Sequence, residues 1–111
     1  MINYRMPKIN SLISETVSDI INKKFAEDIH FININFVDTA RDLSETKIYV
    51  SFIDRENTNF KKLLSKRKNI QSIFAQSIKL RKTPKIIFIL DIKKDSINKV
   101  EALLEKISHE N

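Results

Sequence analysis

Glycine, cysteine and tryptophan are all absent from this 111-residue chain, and only two prolines occur. The lack of glycine excludes the glycine-rich phosphate loops of the Walker and dinucleotide-binding types. It also means that turns must use other residues, among which Asn, Asp and Ser tolerate turn geometry best. The lack of cysteine excludes disulfides and thiolate metal sites, which is consistent with a reducing compartment.

Long apolar runs are absent as well. No stretch approaches the roughly 18 apolar residues that a membrane span requires. The first residues, MINYRMPKINSLISE, lack the apolar core and the cleavage site of a signal peptide. We therefore expect a soluble, cytoplasmic protein with no membrane partner. The length suits a single domain over residues 1–111, and a content of 41% hydrophobic and 31% charged residues is that of a globular protein.

Residues suited to catalysis or metal binding are few. The two histidines, His30 and His109, have no visible triad or metal partner. Aspartates at predicted strand ends either build turns, which we favour, or cluster to bind magnesium. These aspartates are Asp38, Asp42, Asp54 and Asp91. The residues thus give little support for catalysis, and we expect no catalytic residue, no bound metal and no cofactor.

The positive charge is concentrated in residues 61–85. The chain carries a formal charge of +6, yet this stretch contributes +9 without any acid, so the remainder is negative at −3. A local basic surface is typical of proteins that bind a polyanion, because ordinary solvated faces mix both signs. Lysines that only solubilise a helix face are the alternative. The basic residues are Lys61, Lys62, Lys66, Arg67, Lys68, Lys79, Arg81, Lys82 and Lys85.

Hydrophobic periodicity predicts the element order α-β-β-α-α-β-α, preceded by a flexible tail at residues 1–6. Helices are predicted within residues 7–24, 61–65, 69–82 and 96–107, and strands at residues 31–37, 47–52 and 86–90. Pro84 is expected to end the third helix, because proline disfavours the helical conformation of the residue before it. The first two strands suggest an antiparallel pair. The fold class is therefore α+β, with helices on one face of a three-stranded sheet.

Alternation along the strands predicts which residues face the core. Phe36 shares its face with Ile34, so both are expected to point inward. Tyr49 lies on the wetter face of the second strand and is the best candidate to stack on a base. The predicted core contains Ile34, Val50, Ile73, Phe74 and Phe88.

Two interpretations stay open for the connector DTARDLSE at residues 38–45. In the first, which we favour, Asp42 and Ser44 bond nearby backbone amides and the segment is only a turn. In the second, Arg41 binds a phosphate, for which its planar guanidinium is well suited.

Three segments carry a resemblance to a known family. They are ISETVSDIINKK at residues 13–24, RDLSETKIYVSF at 41–52, and IQSIFAQSIKLRKTP followed by KIIFILD at 70–91. In this order, and together spanning nearly the whole domain, they resemble the ribosome-binding factor A family of bacterial and organellar small-subunit assembly factors. The second and third segments are each close to a signature motif of the family, and two such motifs in the right order make the resemblance specific.

The resemblance implies a type II KH-like fold with a mixed sheet and no catalytic activity. It also implies binding to the free small (30S) ribosomal subunit, on its 16S rRNA, during late maturation, rRNA processing and growth in the cold. In the family, the bend between the second and third helices carries an Ala-x-Gly pattern, which corresponds to residues 66–68. Because Lys68 stands where the family has glycine, Asn69 is the residue expected to turn the chain.

Phosphates of a folded RNA are the expected ligand, because the basic segment has few aromatic residues on which bases could stack. We expect a monomer, with residues 66–68 as the most exposed contact. A module that docks on a ribosomal protein through the sheet or the last helix is the alternative, and a small RNA-directed enzyme is a third hypothesis. The predicted RNA-binding residues are Arg41, Lys66, Arg67, Lys68, Lys79, Arg81, Lys82 and Lys85.

Overall fold

The computed structural model describes residues 5–91, which form three helices and three strands. The elements are α1 (Arg5–Lys24), β1 (Ile32–Thr39), β2 (Glu45–Phe52), α2 (Glu56–Ser65), α3 (Arg67–Ser77) and β3 (Lys85–Leu90). This confirms the predicted order up to the third strand, whereas the helix predicted at residues 96–107 lies outside the described residues. Since α1 begins at Arg5, the predicted tail does not include residues 5 and 6. None of these helices has the length and apolar character needed to cross a membrane.

The strands form one mixed sheet in the order β1-β2-β3. β1 and β2 are antiparallel, whereas β2 and β3 are parallel and are connected through α2 and α3. Alternate residues of β2 are buried, and helix residues from α1, α2 and α3 join them in a single core. The three helices therefore cover one face of the sheet. Within residues 5–91, the opposite face, which we call the open face, has no helix against it.

The core contains most of the residues predicted for it. Val50 and Phe74 are fully buried, and Phe88 is 5% exposed. Ile34 and Ile73 are only partly buried, although they pack against the core. Side chains from each layer meet there: Ile13, Val17, Leu63, Ile70, Ile48 and Ile86 are fully buried as well.

β1 does not keep the single alternation that its sequence suggests. The register with β2 shifts between Ile34 and Phe36, and Asn35 has no partner in it. An extra residue of this kind is a β-bulge, and it reverses which side chains face the core. Val37 is therefore buried, and Phe36 is 59% exposed. The prediction that Phe36 points inward was wrong for this reason.

The helix α2 begins at Glu56 and not at residue 61, so it starts five residues earlier than predicted. Arg55 precedes it in a left-handed conformation with φ of 47°. The buried amide of Asn59 donates a hydrogen bond of 2.8 Å to the carbonyl oxygen of Asp54. This bond ties the first turn of α2 to the loop before it, which explains the earlier start.

The helix α3 ends at Ser77, five residues before the predicted end at residue 82. Ile78 already has an extended backbone, with φ of −104° and ψ of 139°, and its side chain is buried. Leu80 also packs against the core, so alternate residues of this extended segment point inward. Pro84 therefore does not end the helix, and residues 78–84 form an irregular connection to β3.

Within residues 5–91, three residues have a positive φ: Phe31 at 54°, Leu43 at 62° and Arg55 at 47°. Each lies in a connection between elements, where the chain reverses or bends. The left-handed conformation costs such residues roughly 1–2 kcal/mol. The expectation that Asn, Asp or Ser would take these positions was wrong at all three.

Candidate nucleic-acid interface

A single residue, Lys66, separates α2 from α3. Its φ and ψ are −100° and 1°, and its backbone N–H donates to the carbonyl oxygens of Lys62 at 3.2 Å and Leu63 at 3.0 Å. The bend thus needs no left-handed residue, and the lack of glycine costs nothing there. Lys68 and Asn69 lie inside α3, so the prediction that Asn69 turns the chain was wrong. We call Lys66, Arg67 and Lys68 the basic tip.

The basic tip lies beside the loop that leads into β1. The Lys66 ammonium is 3.8 Å from the carboxylate of Asp28, and the two side chains are 34% and 52% exposed. An exposed ion pair of this kind stabilises a protein by less than about 1 kcal/mol. Lys68 is exposed, but Lys66 and Arg67 are only half-exposed. The prediction that residues 66–68 are the most exposed of the basic residues was wrong, because the later ones are all exposed: Lys79, Arg81, Lys82 and Lys85.

Three basic residues from distant parts of the sequence belong to the same end of the sheet, where β1 ends and β2 and β3 begin. Arg41 lies in the turn between β1 and β2, and Lys85 pairs with Glu45 as β2 begins. The backbone N–H of Lys85 also donates to the carbonyl oxygen of Ser44 at 3.1 Å. Lys82 is close enough for its charge to act on Asp42 in the same turn. We call Arg41, Lys82 and Lys85 the strand-end cluster.

The turn that carries Arg41 is built by its neighbours. Asp42 accepts a hydrogen bond of 3.0 Å from the backbone N–H of Ser44, and the backbone N–H of Leu43 donates to Ala40 at 2.8 Å. Hydrogen bonds from the Ser44 side chain and backbone, followed by the charge of Lys82, lower the pKa of Asp42 from its ordinary 3.8. Turn construction therefore involves Asp42 and Ser44, while the Arg41 side chain is exposed beside them.

Gln71 holds the start of β3, and the sequence reasoning missed it. Its side-chain amide donates a hydrogen bond of 3.0 Å to the carbonyl oxygen of Pro84 and accepts one of 2.7 Å from the backbone N–H of Ile86. These two bonds bracket Lys85 and so position one member of the strand-end cluster. No local pattern identifies this role, because the partners lie 13 and 15 residues away.

The two basic groups belong to opposite ends of β1. Asp28, which contacts the basic tip, lies in the loop before this strand, and Arg41 lies in the turn after it. β1 has eight residues, which span about 25 Å at about 3.3 Å per residue. Lys79 and Arg81 lie in the connection that leads to Lys82.

Among residues 5–91, no group of three or more His, Asp or Glu side chains could hold a metal ion.

A family model described as ribosome-binding factor A matches residues 5–104. Ribosome-binding factor A of Prochlorococcus marinus (strain AS9601) is 29% identical over 115 residues, covering 98% of this chain and 88% of the relative. The protein of the same name from Malacoplasma penetrans (strain HF-2) is 30% identical over 112 residues, covering 96% and 95%.

The fold is also similar to a solved structure. The crystal structure of ribosome-binding factor A from Thermus thermophilus has a TM-score of 0.67 and 14% identity to this chain, with 76% of this chain and 92% of that chain covered. At this identity the likeness concerns the fold alone, and it confirms the predicted α+β, KH-like class.

Proposed function

The chain belongs to the ribosome-binding factor A family, and from this premise we propose that it associates with the ribosome by binding 16S rRNA phosphates on the free small (30S) subunit. In this role it acts in the cytoplasm, as a monomer, in late maturation of the subunit and processing of 16S rRNA, including growth in the cold. It works by binding and not by catalysis.

The observation that supports this proposal best is the strand-end cluster. Arg41 is separated by about forty residues of sequence from Lys82 and Lys85. Nevertheless, the turn that carries Arg41 and the start of β3 at Lys85 lie at the same end of the sheet, and the charge of Lys82 acts on Asp42 in that turn. A guanidinium offers a planar fork of donors to a phosphate, and an ammonium adds a mobile point charge. This combination fits a phosphate backbone better than it fits a general need for solubility.

The basic tip extends the same argument to a second contact. It adds Lys68 and the half-exposed Arg67 near the other end of β1. A ligand that touches both groups must offer phosphates about 25 Å apart, following the length of β1. Folded rRNA meets this requirement, because phosphates line every strand of its helices and loops.

One observation favours the alternative of docking on a ribosomal protein. Phe31 and Ile53 are 66% and 75% exposed, and the backbone N–H of Ile53 donates to the carbonyl oxygen of Phe31 at 3.3 Å. Two neighbouring apolar side chains in solvent are a plausible protein contact. Binding through such a contact depends little on salt, whereas binding to phosphates weakens steeply as salt rises.

The experiment is cosedimentation with purified small subunits over a salt series. One variant replaces the basic tip by alanine, and a second replaces the strand-end cluster. Each phosphate contact contributes about 0.7–0.9 to the slope of log affinity against log salt, so each triple variant should lower the slope by roughly two if most of its residues make contact. The matched control replaces three exposed lysines of α1 by alanine: Lys8, Lys23 and Lys24.

The control variant removes the same charge from a helix outside both groups, so it separates specific contacts from net charge. We expect its slope to stay close to that of the wild type. Equal affinity and equal slope in the two test variants, with all proteins folded, would refute phosphate binding by these residues. Binding that depends on Phe31 and Ile53 instead would then favour the protein-docking alternative.

A further inference from the structure

The open face of the sheet has an aromatic pair at its centre. Phe36, turned outward by the bulge, lies opposite Tyr49, and the ring centroids are 5.7 Å apart at 51°. Ile89 on β3 pairs with Tyr49, and Ile87 pairs with Lys47, the preceding residue of β2 on the same face. Phe36 is 59% exposed, so much of its ring is in contact with solvent. Within residues 5–91, these side chains form the apolar centre of this face.

Two lysines of the open face lie on the side of this centre that is toward the strand-end cluster, and one of them, Lys85, belongs to the cluster. Lys47 shares the open face with Tyr49 and pairs with Ile87, and Lys85 lies on the same face two residues before Ile87. From Lys85 to Ile89 the strand covers about 13 Å. About four stacked nucleotides cover the same distance at about 3.4 Å each. One short RNA strand could therefore reach from the strand-end cluster to the aromatic pair.

Carboxylates on the open face decide which part of the RNA lies at its centre. Asp38 lies opposite Lys47 near the aromatic pair, so the lysine closest to the centre has an acid as its register partner. Glu45 lies opposite Lys85 at the strand end, where Arg41, Lys82 and Lys85 outnumber Asp42 and Glu45. Asp91 accepts a hydrogen bond of 3.0 Å from the side-chain amide of Asn35. The centre therefore lacks the excess positive charge that a phosphate requires. An uncharged, flat and aromatic group is the better match, which describes a nucleobase.

We propose that the open face is a stacking platform for unpaired RNA bases, with Phe36 and Tyr49 against the bases and Lys85 of the strand-end cluster on the phosphates of the same strand. This inference rests on the proposed function and adds the form of RNA that this surface takes. Paired RNA does not fit, because the flat faces of its bases are hidden within the helical stack. Single strands offer those faces freely.

The test measures binding of the full chain to a short fluorescent single-stranded oligoadenylate, with a blunt RNA duplex of the same length in parallel. The variants are Phe36→Ala, Tyr49→Ala and the conservative Tyr49→Phe. The matched control is Phe31→Ala, which removes an aromatic ring that is 66% exposed but precedes the other end of β1. Circular dichroism melts verify that every variant is folded.

We expect each of Phe36→Ala and Tyr49→Ala to weaken single-strand binding by about fivefold or more, the usual loss of one base stack. Tyr49→Phe and Phe31→Ala should stay within about twofold of the wild type, since neither removes a ring from the platform. The salt dependence should be unchanged in the ring variants, because they remove no phosphate contact. The affinity for the RNA duplex should be the same in the wild type and in all of these variants.

Tyrosine emission gives a second readout that needs no ring deletion. The chain has two tyrosines and no tryptophan, so the Tyr4→Phe variant leaves Tyr49 as the only tyrosine. Oligoadenylate should quench the emission of this variant, because the base lies on the ring. The duplex should not quench it.

Equal oligoadenylate affinity in the wild type and both alanine variants, or unquenched Tyr49 in the bound complex, would overturn the platform. Ring variants that lose subunit binding but not oligoadenylate binding would overturn it as well, since the face would then contact a ribosomal protein. Neither result bears on the proposed function, which is tested separately by the salt series with the lysine and arginine variants. An effect of those variants on salt dependence, with normal ring variants, would refute only the platform.

Discussion

Replacing Gln71 by alanine should destabilise the domain through two lost hydrogen bonds. The side chain joins α3 to the start of β3, at 3.0 Å to the carbonyl oxygen of Pro84 and 2.7 Å from the backbone N–H of Ile86. Both Pro84 and Ile86 are fully buried, so the variant would leave a buried acceptor and a buried donor unpaired. Each unpaired group costs about 1–3 kcal/mol.

The expected loss in the free energy of unfolding is therefore about 2–6 kcal/mol, a large part of the roughly 5–15 kcal/mol available to a domain. For a domain of this size, about 1 kcal/mol lowers the melting temperature by about 4–8 °C. We expect the melting temperature, measured by circular dichroism, to fall by at least about 8 °C. The midpoint of unfolding in urea should fall as well.

The matched control is Gln76→Ala, which truncates an exposed glutamine on the same helix and should change stability by about 0.5 kcal/mol or less. A Gln71→Glu variant should also be less stable than the wild type. Its carboxylate can still accept from Ile86 but cannot donate to Pro84. If Gln71→Ala melted within a degree or so of Gln76→Ala, the two hydrogen bonds would not hold β3, and this reasoning would fail.

Three further predictions concern the core, a strained residue and acid sensitivity. Phe74→Ala should cost about 3–5 kcal/mol in urea unfolding, whereas Leu64→Ala, at a site 44% exposed, should cost much less; similar losses would show that Phe74 is not buried. Arg55→Gly should not destabilise and should gain up to about 1 kcal/mol, because glycine adopts a φ of 47° without strain; a loss would contradict the left-handed conformation. The lowered pKa of Asp42 adds stability that is present above its ordinary 3.8 and is lost as pH falls through the folded value. Asp42→Asn should therefore lose less stability than the wild type on acidification, and parallel pH profiles of the melting temperature would contradict this.

Local patterns were sufficient to predict the order of the regular elements within residues 5–91, although not the start of α2 or the end of α3. The strands predicted at 47–52 and 86–90 appear as Glu45–Phe52 and Lys85–Leu90, because alternating apolar residues point to one covered face. The pair on α3, Ile70 and Phe74, is buried as its helical spacing predicted. Periodicity succeeds in these cases because it records directly which side of an element faces the core.

Features that depend on distant partners could not be predicted in this way. The bulge at Asn35 is defined by pairing with β2, and it changed the environment of Phe36 from core to solvent. The strand-end cluster depends on the contact between Ser44 and Lys85, which no local pattern encodes. The bend at Lys66 is a third case, since hydrogen bonds to α2 allow it to form without glycine.

Site-specific photocrosslinking to small-subunit precursors tests the proposed rRNA contact most directly. A photoreactive residue is placed at Lys68 in the basic tip or at Lys82 in the strand-end cluster, with Lys8 on α1 as the control position. All three side chains are exposed, so each position can carry the probe without disturbing the core. Phosphate binding predicts crosslinks from Lys68 and Lys82 to 16S rRNA, with few from Lys8. Crosslinks from both positions to a ribosomal protein alone, or equal rRNA crosslinks from all three, would contradict it.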